Sequence, residues 1–228
     1  MAEKKSKQSV KSIYKILAII GCVLFVVLMV VSSLGTGWIT AFNAIKPGNI
    51  VTIDYTIRDK SGNPLVTTDQ QLYRQYAGAG YGTFYSKQLQ LLANQSSTKS
   101  VIPLPVYSAE NGWTSSFALF GGEHDAISQG IVGMKLNEQK SIQLPFADSM
   151  TQFFSSENLI QQGINVTDVH IGDMIRMGVS DSPTLAKNAT ESSYSVRIGE
   201  VTQKTAQGLT IDFGYPVIEI KVLSVGIG

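Results

Sequence analysis

Apolar and polar positions divide this chain into two unlike parts. Residues 16–34 (ILAIIGCVLFVVLMVVSSL) carry no charge and almost no polar side chain. From Lys46 onward the pattern changes to short alternating runs, broken by Gly, Pro, Asn and Asp. In residues 50–58 (IVTIDYTIR), Val51, Ile53, Tyr55 and Ile57 fall on one side and Ile50, Thr52 and Asp54 on the other. That period of two predicts a half-buried strand. Residues 59–64 (DKSGNP) predict a turn, and 65–68 a second strand. Residues 216–225 (PVIEIKVLSV) alternate as cleanly, with Ile218, Ile220 and Val222 against Val217, Glu219 and Lys221. This last strand is expected to pair with 50–58.

The middle of the chain is less regular. Residues 113–120 and 141–144 predict strands, and 123–132 a short helix closed by Gly133. Residues 155–211 predict a small antiparallel β unit, with strands at 194–201 and 209–213. The stretch 69–113 is mixed and no fold is assigned to it. Residues 69–76 and 86–93 have helical spacing, the second through Leu89 and Leu92, and 77–82 reads as loop. Residues 101–107 contain Pro103 and Pro105 and read as extended or edge backbone.

Charge changes the picture of the N-terminus. Residues 1–15 hold five lysines and one glutamate, so the remainder is −3 by difference from the chain's +1. As a helix, 16–34 would rise about 28 Å, near the roughly 30 Å hydrocarbon core of a bilayer. The expectation is therefore a single-pass cell-membrane protein. It has a basic cytoplasmic tail (1–15), a transmembrane anchor (16–34), a stalk (35–46) with Trp38 at interfacial depth, and an extracytoplasmic main domain. Two other readings of the segment remain. A cleaved signal peptide would have a shorter apolar stretch. A lipoprotein attached at Cys22 would not have apolar residues continuing straight past it. Three N-x-S/T sequons, at Asn94, Asn165 and Asn188, fit an exported domain.

Composition excludes several classes. Near-neutral charge argues against a nucleic-acid partner. One cysteine excludes an internal disulfide framework. Two histidines, His124 and His170, leave little for a metal centre or a Ser-His-Asp triad. Asp148, Asp168, Asp173 and Asp181 are scattered as turn and cap residues are. No metal and no cofactor is expected.

Separated segments resemble one family, the FKBP-type peptidyl-prolyl isomerases. Residues 47–56 (PGNIVTIDYT) resemble its opening strand, and 59–62 (DKSG) its following turn. Residues 130–138 (GIVGMKLNE), then 142–145 (IQLP), resemble its helix end and next strand, and 217–225 its closing strand. Residues 156–159 (SENL), 171–177 (IGDMIRM) and 209–216 (LTIDFGYP) resemble the boundaries of the insert-in-flap domain of the SlyD-type subfamily. The resemblance spans about 46–225 but not most of 69–113.

The resemblance implies an α+β fold: an antiparallel FKBP-like half-barrel sheet around a short helix, over 47–154 and 212–228. A small all-β insert-in-flap domain lies at 155–211, and the transmembrane helix precedes both. It implies a prolyl pocket built from Tyr55, Leu65, Val66, Phe117, Ile127 and Ile218, with Leu119 as the alternative to Phe117. Leu65 and Ile218 stand where the family has phenylalanine, Val66 where it has aspartate, and Ile127 where it has tryptophan or leucine. The family's tyrosine after the Pro145 motif has no match in Ala147–Met150. Ile171, Met174, Ile175 and Met177 are the implied contacts of the insert with unfolded or proline-containing polypeptides, or else that insert's own core.

No covalent step is implied. The planar X-Pro amide is more charge-separated than the twisted transition state, so an apolar, water-poor pocket lowers the barrier. The expected function is a membrane-tethered prolyl isomerase and chaperone for exported proteins. The alternative is an FKBP-like binding module, or an envelope complex subunit, whose catalytic site has decayed.

Overall fold

The computed structural model describes residues 3–34, 44–180 and 194–227. The chain divides into two units, 1–43 and 44–228. In the first, α1 (Glu3–Leu34) is one helix. Leu17, Ile19, Ile20 and each residue of 23–30 are more than half exposed. Among the described residues, no helix is long and apolar enough to cross a membrane. The anchor expected over 16–34 is corrected accordingly to an apolar helical segment. The single-pass location, with its cytoplasmic tail and extracytoplasmic main domain, is withdrawn with it. Residues 35–43 of the expected stalk, Trp38 included, lie outside the described residues, as do Asp181 and the Asn188 sequon.

The second unit begins with β1 (Ile50–Arg58), which passes through a tight turn into β2 (Pro64–Thr67). The Asp59 carboxylate accepts the Asn63 N–H at 2.7 Å, and Gly62 takes the left-handed φ of +84° that closes the turn. Helix α2 (Gln70–Gly78) follows, capped by Asp69, whose carboxylate accepts the N–H groups of Gln71 and Leu72. Strands β3 (Phe84–Ser86), β4 (Leu89–Leu92), β5 (Val101–Ser108) and β6 (Gly112–Phe120) come next. Helix α3 (Gly121–Gly130) and β7 (Gln139–Gln143) complete this half. The remaining elements are β8 (Thr151–Ser155), α4 (Ser156–Gln161), a 3-10 turn at Val166–Asp168, β9 (Met174–Val179), β10 (Ser195–Thr205), β11 (Gly208–Asp212) and β12 (Val217–Gly226).

The strands form one curled twelve-stranded sheet in the order β7-β12-β1-β2-β3-β5-β6-β10-β11-β8, with β4 on β1 and β9 on β10. β12 pairs with β1 along its whole length, from Ile50 opposite Gly226 to Arg58 opposite Val217, as their shared alternation predicts. The expected antiparallel sheet is corrected to a mixed one. β2 runs parallel to β3, and β6 parallel to β10. Both parallel pairs are joined by long connections rather than hairpins, as parallel neighbours require. Residues 68–83, containing α2, link the first pair. Residues 121–194, holding α3 and most of the flap, link the second.

The insertion 69–113 becomes part of this sheet. Residues 86–93, expected to be helical, are extended, and Leu89–Leu92 pairs with the first half of β1. The Leu89–Leu92 spacing is compatible with either period, and pairing to β1 decides for strand. β5 is an interior strand, not an edge, yet β3 reaches only Val106 and Tyr107. Pro103 and Pro105 therefore break no pairing on that flank beyond β3. A ring cluster of Tyr73, Tyr85, Tyr107 and Trp113, with centroids 5.7–6.0 Å apart, fastens α2 to this part of the sheet.

Two apolar cores result. The larger packs Val51, Ile53, Ile57, Phe84, Val106, Leu119 and Ile220 around Ile127 of α3 and Ile131 at its C-terminal cap. The smaller joins Leu159, Ile175, Met177, Val201, Leu209, Ile211 and Phe213. This second core defines a flap of β8, α4, β9, β10 and β11, and β8 puts its start at Thr151. β10 serves both cores, through Ile198 in the larger and Val201 in the smaller.

Candidate functional site

The six residues implied as a prolyl pocket converge, but they converge as packing. Tyr55, Leu65, Val66, Phe117, Ile127 and Ile218 all belong to the larger core, and none is more than 4% exposed. The Phe117 ring stacks on Tyr215 at 5.8 Å. The Tyr55 hydroxyl donates to Ser86 Oγ at 2.7 Å, which in turn donates to the Pro105 carbonyl. The Tyr215 hydroxyl donates to the Ile198 carbonyl at 2.7 Å and accepts the Ile198 N–H. Both tyrosine hydroxyls thus have their partners within the protein.

Burial pushes the Tyr55 phenol up to about 12, against a smaller opposing effect of its hydrogen bond to Ser86. Burial also raises Tyr215, against the nearby Arg197 charge. A phenol that ionises at about 10 unfolded but near 12 folded holds more protons in the native state between those values. Stability is therefore unaffected below pH 10 and falls through pH 10–12, by about 1.4 kcal/mol per unit for each such tyrosine. Alkaline titration followed by tyrosinate absorbance is expected to show a late phase from Tyr55 and Tyr215 that appears only with loss of near-ultraviolet dichroism.

Behind this core lies an ion pair that sequence reasoning missed. Arg197 on β10 and Glu123 on α3 are both fully buried. Arg197 Nη2 lies 2.6 Å from Glu123 Oε1, and Nη1 lies 2.8 Å from Oε2, a two-pronged pairing. The same guanidinium donates to the carbonyls of Ala118 and Phe213, at 2.9 Å each. It lies 4.0 Å from the Tyr215 ring centroid and 4.3 Å from that of Phe120. Glu123 Oε2 also accepts the Phe120 N–H, satisfying a free donor at the start of α3. The pair thereby bolts the helix to the strand that enters the flap. Its one signal in sequence is a charged residue at position 197 between Val196 and Ile198.

A water-accessible cleft opens where the barrel meets the flap. It has a volume of about 140 Å³, and Leu65, Tyr81, Met174 and Ile198 give it apolar surface. Asp59 and Glu200 stand on its walls. A shallow extension reaches Lys60, Asp212 and Tyr215. Of the six residues carried over by resemblance, Leu65 is the one that borders this cleft. Tyr55 instead borders an open polar groove of about 650 Å³ on β1, β7 and β12, beside Asp54, Asp69, Glu219 and Lys221.

Two ion pairs join the flap to the barrel beside the cleft. Lys60 Nζ lies 2.5 Å from Asp212 Oδ2 and 3.5 Å from Asp148 Oδ1. Arg176 on β9 pairs with Glu110 at 2.8 Å and covers the Phe84 ring. Such exposed pairs contribute about 0–1 kcal/mol each, less at high salt.

Met174, Ile175 and Met177 separate by the alternation of β9, and Ile171 lies in the turn before it. Ile171 and Met174 are 66% and 39% exposed, whereas Ile175 and Met177 are buried in the flap's own core. Phe153 and Ile160 add exposed apolar surface to the flap. Where the family's tyrosine has no match, Phe146 lays its ring against α3 at Gly122. A Cβ on that glycine would sit 2.7 Å from the ring. Among the described residues, no group of three His, Cys, Asp or Glu side chains is placed to hold a metal ion. No model of a known protein family matches this sequence, and no curated protein is found similar to it.

Proposed function

We propose that the 44–228 unit is a folding factor of FKBP-like design, which binds extended polypeptide at the cleft between barrel and flap and speeds rotation about X-Pro bonds held there. The observation that carries this reading is the cleft itself. It is apolar over Leu65, Ile198 and Met174, and lies between strands of the larger core and strands of the smaller one. The order of the motifs that resemble the family supports it, as does the apolar surface of Phe153, Ile160, Ile171 and Met174 on the flap.

The chemistry asks little of the residues. A pyrrolidine ring laid on Leu65 and Ile198 would leave water, and the twisted amide, being less polar than the planar one, gains from that loss. Met174 can adapt its thioether chain to different neighbours of the proline. No nucleophile, metal or cofactor takes part.

The second reading, a binding module without catalysis, is favoured by the closed packing of Tyr55, Val66, Phe117, Ile127 and Ile218. One experiment separates them. The full chain is added to a proline-limited refolding protein and, separately, to a short X-Pro peptide. Acceleration of refolding is expected, falling about tenfold in Met174→Glu, which puts an unpaired carboxylate at the prolyl contact. Binding of the unfolded substrate without acceleration would leave the binding module. Neither binding nor acceleration would end both readings.

A further inference from the structure

The walls of the cleft carry an imbalance of charge. Glu200 lies directly opposite Asp212 in the antiparallel pairing of β10 with β11. Like charges in that position repel. The repulsion is answered on one side only, because Lys60 pairs with Asp212 and with Asp148. Among the described residues, the Glu200 carboxylate has neither a hydrogen bond nor an ion pair. It is half-buried and faces the cleft beside Asp59. Asp59 is occupied in part, accepting the backbone and side-chain N–H groups of Asn63. Arg176, the other cation nearby, is held by Glu110 over the Phe84 ring.

From this arrangement we infer that the cleft selects polypeptides with a lysine or arginine next to the residue that fills its apolar floor, and that Glu200 is the specificity-determining group. The inference rests on the polypeptide-binding reading above and names its substrate class. The space is about 140 Å³, enough for one side chain and its immediate neighbours. A long cationic side chain suits it at both ends. Its methylenes lie along Met174 and Tyr81, and its charged head reaches Glu200. Pairing there relieves the repulsion between Glu200 and Asp212. A glutamate at the same place in the ligand would add a third carboxylate. Electrostatic discrimination of this kind acts by favouring one partner and repelling the other.

The test uses the full chain and fluorescently labelled peptides with one Leu-Pro core, flanked on either side by lysine, glutamine or glutamate. Binding is read by anisotropy at low and high salt. The lysine-flanked peptide is expected to bind about tenfold more tightly than the glutamate-flanked one at low salt, and the gap should narrow at high salt. Glu200→Gln should shrink the ratio of lysine-flanked to glutamate-flanked binding, and Glu200→Lys should reverse it. Equal binding of the three peptides by the unaltered protein would overturn the inference and leave the polypeptide-binding reading standing. Failure of all three to bind would overturn both.

Discussion

Glu123→Gln is expected to destabilise the 44–228 unit by about 3–5 kcal/mol, read as a lowered urea midpoint at unchanged slope. The substitution keeps the size of the side chain and removes its charge. Arg197 then keeps a full positive charge in the interior, met by neutral acceptors alone, the carbonyls of Ala118 and Phe213 and the new amide oxygen, and by the surrounding rings. The amide also presents a donor where the guanidinium already donates. Arg197 Nε has no hydrogen-bond partner even in the intact protein, so no spare acceptor stands by. Replacing both residues, Glu123→Leu with Arg197→Met, is expected to recover part of the loss, since no buried charge remains. A single-substitution cost under about 1 kcal/mol would mean that the pair does not carry its charge in the folded state.

Phe117→Ala is the second large effect, at about 3–5 kcal/mol. The ring is fully buried, packed on Tyr215 and within 5.7 Å of the Arg197 guanidinium. Its loss opens a cavity in the middle of β6. The result also bears on function. A residue lining an open prolyl pocket would lose activity on truncation with its stability little changed. A core residue loses stability first, and any isomerase activity should follow the folded fraction. Thermal unfolding and refolding assays on the same samples compare the two.

These substitutions mark where the sequence is legible and where it is not. β1 and β12 are read directly, because each has one wet and one dry face and so shows its period. The helix α3 is read for the same reason, shifted toward the N-terminus by two residues at each end. β4 is misread because its leucines, partly covered on both faces, satisfy a helical spacing as well as a strand's. The parallel pairings of β2 with β3 and β6 with β10 are long-range choices that leave no local pattern. The site fares similarly. Resemblance gathers Tyr55, Leu65, Val66, Phe117, Ile127 and Ile218 into one place, and they do meet. Whether they surround a hollow or fill it depends on Tyr215 and Ile198, which come from distant parts of the chain. The cleft residues Tyr81 and Glu200 lie in stretches with no motif at all.

The position of β12 has a consequence for synthesis. It stands between β7 and β1 in the interior of the sheet, yet it is the final strand in sequence. While the chain is still emerging from the ribosome, β1 and β7 each have an unfilled edge and the larger core stays open. The flap's own apolar residues, by contrast, are all made by Phe213. The flap is therefore expected to acquire structure first, with the larger core closing only once Val217–Gly226 has emerged and slides into its slot. A nascent chain stalled before residue 217 would expose two uncapped strands to its neighbours, a state prone to aggregation.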